Sequence, residues 1–297
     1  MSIKKVVVAG SGVLGSQIAF QTAYKGFPVT VYDISQEVID KAKKTMEGLG
    51  ERYKQDIQAT DADVSAALDR LSFSHDLGEA VTDADLIIEA IPEKLEIKES
   101  FYKELSKVAP KNTIFASNSS TLVNSSLAPY TDRPERFLNL HFANQIWTNN
   151  TAEIMGSPKT DPQIYQEIVK FAGQIGMVPI QLKKEQPGYV LNSLLIPLLN
   201  AATLLWANDI ADPQTIDKTW MVGTKAPVGP FAILDTVGLR TAYNITGTTA
   251  KQTGDPKLEK VVTKLKKMID QGYLGVESGK GFYTYPNPEF QEPDFLK

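Results

Sequence analysis

A doubly wound α/β domain with a mainly parallel sheet, followed by an all-helical domain, is the fold this sequence predicts, and three observations carry it. The glycine run Gly10-Ser11-Gly12-Val13-Leu14-Gly15 comes directly after the apolar stretch Val6-Val7-Val8-Ala9. Strand-like and helix-like segments then alternate to about residue 181. From Pro187 onward only helix-like segments follow. Alternation of this kind is the pattern of a parallel sheet with crossover helices, and its loss marks a second domain.

Taken in order, residues 6–9 read as a strand, the glycine run as a tight turn, and 16–24 as a helix with Ile18, Ala19 and Thr22 on one side. Lys25-Gly26-Phe27-Pro28 stops that helix. A second strand, Val29-Thr30-Val31-Tyr32, is closed by Asp33. Residues 35–56 and 61–70 read as two helices, a longer excursion than a plain crossover needs. Strands are expected at 71–74, 86–90, 113–116, 136–142, 151–155 and 177–181, with helices over 96–108 and 162–175. The second half reads as helices at 189–207, 213–221, 231–253 and 256–271. The boundary falls near 183–187, giving domains 1–185 and 186–297. The helical half must bury its apolar faces on the sheet domain, on itself or on another copy.

The glycine run has a chemical reading. Gly10 makes the turn, Gly12 lets a pyrophosphate approach the backbone, and Gly15 lets the helix pack closely on the sheet. The helix N-terminus, with free N–H groups and a positive dipole end, suits that anion. Asp33 lies twenty-three residues after Gly10, close to the offset of about 20 residues expected for a carboxylate that binds an adenosine ribose. A 2′-phosphate there would meet a like charge, so NAD is expected rather than NADP. An ordinary glycine-rich turn is the alternative for the loop alone, and the strand–helix–strand context selects a Rossmann dinucleotide site.

Bulk properties narrow the class. The chain has 297 residues, 42% hydrophobic and 22% charged, which suits a soluble protein of two domains. Met1-Ser2-Ile3-Lys4-Lys5 leads straight into the first strand, so no targeting segment is expected. Residues 189–207 are apolar but interrupted by Asn192, Ser193, Pro197, Asn200 and Thr203, and read as a buried helix rather than a membrane span. The chain has no cysteine, which excludes disulfides, thiol catalysis and thiolate metal sites. No metal site is expected, and a cytoplasmic location is the simple reading. The net charge of −4 and the lack of a basic stripe give no reason to expect nucleic acid. Lys41, Lys43, Lys44, Arg52 and Lys54 form a local basic run, read as a solvated helix face with a phosphate site as the alternative.

Histidine occurs only at 75 and 141. His75 reads as a surface residue between strand and loop. His141 closes the strand Phe137-Leu138-Asn139-Leu140 and is followed by Asn144-Gln145. Ligands of doubly wound sheets bind at the carboxyl ends of strands, where His141 is expected. Glu153 interrupts the apolar run Thr151-Ala152-Glu153-Ile154-Met155. If the two strands pair antiparallel, the side chains meet, and a carboxylate on one imidazole nitrogen fixes the tautomer and raises basicity at the other. An ordinary edge-strand glutamate is the alternative. The hydroxyls of Ala116-Ser117-Asn118-Ser119-Ser120-Thr121 are expected on the same rim, either bonding a substrate oxygen or capping a helix.

These residues resemble the L-3-hydroxyacyl-CoA dehydrogenases, a family that includes bacterial 3-hydroxybutyryl-CoA dehydrogenases. The resemblance covers nearly the whole chain: VVVAGSGVLGSQIA, DLIIEAIPE, FASNSSTL, RPERFLNLHFAN, the glutamate twelve residues past the histidine, PGYVLNSLLIPLLN, PVGPFAILDTVGL and SGKGFYTY. It implies a Rossmann domain with a helical hairpin insertion, a helical substrate and dimerisation domain, and a homodimer. It implies that NAD oxidises the 3-hydroxyl of a short-chain (S)-3-hydroxyacyl-CoA, with His141 as general base, Glu153 as its partner, and Ser120 and Asn192 on the substrate's 3-oxygen. It assigns Asp33 to the adenosine ribose, places Glu93, Asn118 and Asn144 close to cofactor or substrate, and extends the cofactor surface to Val13, Leu14, Ala90, Ile91 and Lys98.

The chain departs from the family at two points. At the first, HFFNP and a short apolar stretch are usual, whereas this chain reads His141-Phe142-Ala143-Asn144-Gln145-Ile146-Trp147-Thr148-Asn149-Asn150. The charges of the 35–70 hairpin also fail to align with the family's CoA contacts, although Lys44, Arg52 and Lys54 could substitute. Two other readings therefore stand beside the first. One is a sister enzyme for a small CoA-free 3-hydroxy acid, such as a sugar acid or carnitine-like compound. The other is a NAD-binding protein without catalysis, against which the intact Ser120, His141, Glu153 and Asn192 set argues.

Overall fold

The computed structural model describes residues 3–297, so the expectation about the chain's start falls partly on Met1 and Ser2, outside the described residues. By internal contacts the chain divides after Val190 into two compact units.

The first unit runs β1 (Val6–Ala9), α1 (Val13–Tyr24), β2 (Val29–Tyr32), α2 (Gln36–Ile57), α3 (Asp61–Asp69), β3 (Leu71–Ser74), α4 (Leu77–Val81), β4 (Leu86–Glu89), α5 (Leu95–Val108), β5 (Ile114–Ser117), α6 (Asn124–Leu127), β6 (Phe137–Phe142), β7 (Thr151–Met155), α7 (Pro162–Gln174) and β8 (Val178–Gln181). The strands form one sheet ordered β3-β2-β1-β4-β5-β6-β7-β8. Every neighbouring pair is parallel except β6 and β7. The chain winds outward from β1 to β3 and then in the other direction from β4, so the switch point lies between β1 and β4, where ligands of such sheets bind. Strand alternation divides the core. Val6 and Val8 face one layer with Ile18 and Phe171, while Val7 and Ala9 face the other with Phe101 and Leu105.

Local sequence explains the helix ends. Ser35 accepts from the N–H of Val38 at the start of α2, and Thr60 with Asp63 forms a reciprocal capping box on α3. The short helix α4, capped by Asp76, lies where only a loop was expected after the exposed His75. Five residues of regular helix carry too little periodicity to be read from sequence.

The second unit comprises α8 (Leu191–Ala207), α9 (Pro213–Thr224), α10 (Pro230–Val237), α11 (Leu239–Thr253) and α12 (Pro256–Asp270). The single helix expected over 231–253 is two, because Gly238 sits at φ +92° between them. Only glycine adopts that conformation without strain, so the apolar periodicity continues while the backbone breaks. The expectation of a buried helix over 189–207 also needs correction. The helix α8 buries Leu199, Ala202, Thr203 and Ala207 but leaves Leu194 69% exposed, so it is amphipathic. Among the described residues no helix is long and apolar enough to cross a membrane.

Two buried aspartates tie this unit together. Asp217 on α9 accepts from the N–H groups of Phe231 and Ala232 at 2.8 and 3.0 Å, answering free donors in the first turn of α10, and from the Tyr283 hydroxyl at 3.0 Å. Asp235 on α10 accepts from the N–H groups of Phe282 and Tyr283 and from the Tyr285 hydroxyl. A Cβ on Gly229 would meet Asp217, and one on Gly281 would meet Asp235. The PVGPF and SGKGFYTY segments are thus the structural partners of two carboxylates. Burial outweighs these hydrogen bonds and pushes both carboxyls above their ordinary value.

Candidate active site

At the switch point, β1 is followed by Gly10, whose φ of +97° turns the chain toward α1. A Cβ on Gly15 would fall 1.9 Å from the Gly10 carbonyl oxygen, so only glycine lets α1 approach this closely. Around Gly12 a Cβ would meet nothing within 4 Å, and no side chain caps α1. The uncapped N–H groups of its first turn therefore face open space, as a pyrophosphate requires. Asp33 stands at the end of β2, and its Oδ2 accepts from Ser11 N and Oγ at 2.7 and 2.6 Å. The Asp33 carboxylate is thus fixed by the glycine loop it faces. This arrangement fits NAD.

A cleft of about 200 Å³ opens beside the loop. Gly12, Val13, Leu14 and Gly15 line it from α1, Ala90, Ile91, Glu93 and Lys98 from the β4–α5 region, and Asn118 and Ser120 from the end of β5. The Oδ1 of Asn118 accepts from Phe142 N at 3.0 Å, which joins the end of β5 to that of β6. Asn144 lies beyond β6 with an exposed side chain.

The antiparallel pairing of β6 and β7 sets His141 directly opposite Glu153. Glu153 Oε2 lies 3.1 Å from His141 Nδ1, and its Oε1 accepts from Val190 N at 2.9 Å. Both residues are buried, at 5% and 3% exposure. With the carboxylate accepting at Nδ1, the Nε2 lone pair faces the Ser120 hydroxyl at 3.1 Å. The three residues form a continuous chain of hydrogen bonds from a buried carboxylate to the half-buried Ser120. No side chain caps the start of α6, while Ser119 Oγ accepts from Leu122 N at 2.9 Å in the turn before it. Asn192 belongs to the second unit, in the first turn of α8.

Sequence reasoning missed three groups here. Tyr189, at φ +52°, stacks on the His141 ring at 4.4 Å between centroids and donates its hydroxyl to Ser119 O at 2.7 Å. Glu89, at the end of β4, is fully buried and paired with the equally buried Lys98, and accepts from Tyr102 and Ser117. A carboxylate ending an apolar strand was the available signal, the same one that drew attention to Asp33. Gln17 of α1 accepts from Gln145 N at 2.8 Å and so anchors the divergent loop.

That loop is held at several points. Gln145 adopts φ +59°, Ile146 is fully buried, and Trp147 donates its indole N–H to Asp56 on α2 at 2.8 Å. The Trp147 ring lies against Tyr53, with the Arg52 guanidinium over it. Arg52 also pairs with Asp56, and Lys54 with Glu51 and Asp61, so both bases are answered by carboxylates within the helical hairpin. Among the described residues no group of three or more His, Asp or Glu is placed to hold a metal ion.

Residues 5–186 match the family described as 3-hydroxyacyl-CoA dehydrogenase, NAD binding domain, and residues 188–285 match its C-terminal domain. The chain is 33% identical over 285 residues to a probable 3-hydroxybutyryl-CoA dehydrogenase of Bacillus subtilis, covering 96% of this chain and 98% of that protein. It is 33% identical to the human mitochondrial hydroxyacyl-coenzyme A dehydrogenase, covering 95% and 91%. Among solved structures, one described as a diketoreductase with substrate-directed dual catalysis of dicarbonyl compounds is 55% identical with a TM-score of 0.90, covering 96% of this chain and all of that one. The (S)-3-hydroxybutyryl-CoA dehydrogenase PaaH1 of Ralstonia eutropha is 30% identical with a TM-score of 0.81, covering 96% and 100%.

Proposed function

Because the chain belongs to the 3-hydroxyacyl-CoA dehydrogenase family and is an NAD-dependent oxidoreductase, we propose that it interconverts a short-chain (S)-3-hydroxyacyl-CoA and its 3-oxo form. The Ser120–His141–Glu153 chain is the observation that carries this reading. NAD bound along the glycine loop supplies the hydride acceptor. His141 Nε2 takes the hydroxyl proton as the carbon loses hydride, and in reverse returns it to the nascent alkoxide. Glu153 stabilises the imidazolium formed in between, while Ser120 and Asn192 donate to the oxygen as charge develops on it. Tyr189 keeps the imidazole in plane by stacking. Asp33 takes the adenosine ribose, and Glu93, Asn118 and Asn144 border the cofactor and substrate.

On this reading residues 1–185 bind NAD and 186–297 complete the substrate site and pair two copies, which the exposed apolar residues of α8 support. The protein acts in the cytoplasm, away from membranes and nucleic acid.

A second reading has its own support: the 55% identity to the diketoreductase, together with the polar, pinned loop over 143–150. There the substrate is a small 3-oxo or 3-hydroxy acid without CoA. One experiment separates the two. NADH oxidation is followed with acetoacetyl-CoA, free acetoacetate, a simple 1,3-dicarbonyl and a panel of sugar acids. Turnover with the thioester alone establishes the first reading, and turnover only without CoA establishes the second.

A further inference from the structure

The cleft contains an ionic cluster that general acid–base chemistry does not use. Lys98 Nζ pairs with Glu89 and, at 3.3 Å, with Glu93 Oε2. Lys98 and Glu89 are 1% and 0% exposed, whereas the Glu93 side chain is 37% exposed and lines the cleft. Glu93 is built in firmly: its Oε1 accepts from Ser119 Oγ at 2.5 Å and from Thr121 N and Oγ1 at 2.9 and 2.8 Å. Partial burial works against its ionisation, but these bonds and the Lys98 ammonium prevail and hold its carboxyl below the ordinary value. One ammonium between two carboxylates leaves one negative charge uncompensated, and the cleft receives it through Glu93.

The reacting ring must lie near this charge. Hydride would pass between the cofactor and the carbon whose oxygen Ser120 and His141 hold, so a bound nicotinamide would lie at the Ser120 end of the cleft. Glu93 is bonded to both neighbours of Ser120. The oxidised ring carries a positive charge that the reduced ring lacks, and the two forms share every phosphate and ribose contact. Any charge at the ring end therefore acts on the difference between them.

We propose that the Glu89–Lys98–Glu93 cluster makes the cleft discriminate between the two redox forms, favouring the oxidised dinucleotide and so making bound NADH a stronger hydride donor. The cluster thus biases the site toward carbonyl reduction, in which the substrate carbon gains hydride, its oxygen gains a proton from His141, and NADH becomes NAD. Glu89 serves as a positioning residue, cancelling the Lys98 charge from behind so that Glu93 is not neutralised. The inference rests on the NAD-dependent reading above.

The test is the ratio of dissociation constants for the two forms, measured on the full chain by NADH fluorescence and by calorimetry with NAD. Unit charges a few ångströms apart in a half-open cleft give a discrimination of about tenfold after solvent screening. Glu93→Gln is expected to raise the NAD-to-NADH dissociation ratio about tenfold, while Glu93→Asp, which keeps the charge, leaves it within about threefold. Added salt should shrink the wild-type discrimination and leave that of Glu93→Gln unchanged. Equal weakening of both forms by Glu93→Gln overturns the proposal alone, since it marks a positioning role without charge selection. Failure of the wild-type protein to bind either form overturns the cofactor assignment and the proposal with it.

Discussion

Replacing Glu153 by glutamine tests the core of the site. The two groups are buried and 3.1 Å apart, so the imidazolium and carboxylate charge centres are separated by about 4 Å. At an effective dielectric constant of about 20, that separation corresponds to about 4 kcal/mol, or about a thousandfold in rate at about 1.4 kcal/mol per decade. Tautomer control adds to it. Both carboxylate oxygens accept, one from His141 and one from Val190 N, whereas an amide has one acceptor and one donor. If the amide N–H₂ faces Nδ1, the proton moves to Nε2 and the base is lost toward Ser120. The expected result is a fall in kcat of about 10² to 10⁴, with NADH affinity within about threefold of wild type. The assay is steady-state kinetics with fluorescence titration of NADH and a melting curve. A kcat within about threefold of wild type, at an unchanged melting temperature, would refute the reasoning.

Asp33→Ala removes the carboxylate held by Ser11 and is expected to erode the preference for NAD over NADP by about tenfold or more, read from kcat/KM with each; an unchanged preference sinks the ribose assignment. Trp147→Phe keeps the ring against Tyr53 but deletes the bond to Asp56, with an expected loss of about 0.5 to 1.5 kcal/mol in urea unfolding. No measurable loss would mean that the indole N–H does not hold the loop. Asp235 gives a pH signature. Its folded pKa lies above the unfolded value of 3.8, so its stabilising contribution is full below that value and is lost as pH rises through the folded pKa. Melting of the full chain should therefore decline over the range just above pH 3.8 from this group, and Asp235→Asn should flatten that decline. An identical pH slope in the variant counts against the assignment.

How much of this was legible in the sequence depends on whether the signal was local. The glycine loop and the carboxylate it holds are readable because a tight turn, a close helix approach and an acid closing the next strand each need a particular residue at a short spacing. The meeting of His141 and Glu153 follows from two strand segments once their pairing is antiparallel, since residue spacing then fixes the register. The Glu89–Lys98 pair was not legible, although nine residues separate its members. Nothing in the spacing says that a helical lysine turns back beneath the strand it follows. The stacking of Tyr189 on His141 depends on a left-handed backbone position that a non-glycine residue rarely adopts, so no sequence rule anticipates it. The split of the 231–253 segment was hidden because apolar periodicity persists through Gly238. The basic residues of the hairpin were visible, and helical spacing alone sets Arg52 against Asp56 and Lys54 against Glu51, whereas the pairing of Lys54 with Asp61 needs the turn that brings α3 back beside α2.

The two buried aspartates of the second unit also set an order of events at the ribosome. Asp235 is answered by Phe282, forty-seven residues later, and Asp217 by Tyr283, sixty-six residues later. At a synthesis rate of about 5 to 20 residues per second, those donors are made several seconds after the helices that need them. During that interval α9 and α10 cannot close their core without enclosing carboxylates that lack part of their hydrogen bonding, a cost of about 1 to 3 kcal/mol for each unmet group. Closure of α9 and α10 before residues 282–285 are available is therefore less favourable, and a chain cut before residue 282 should leave the second unit more open to proteases than the full chain.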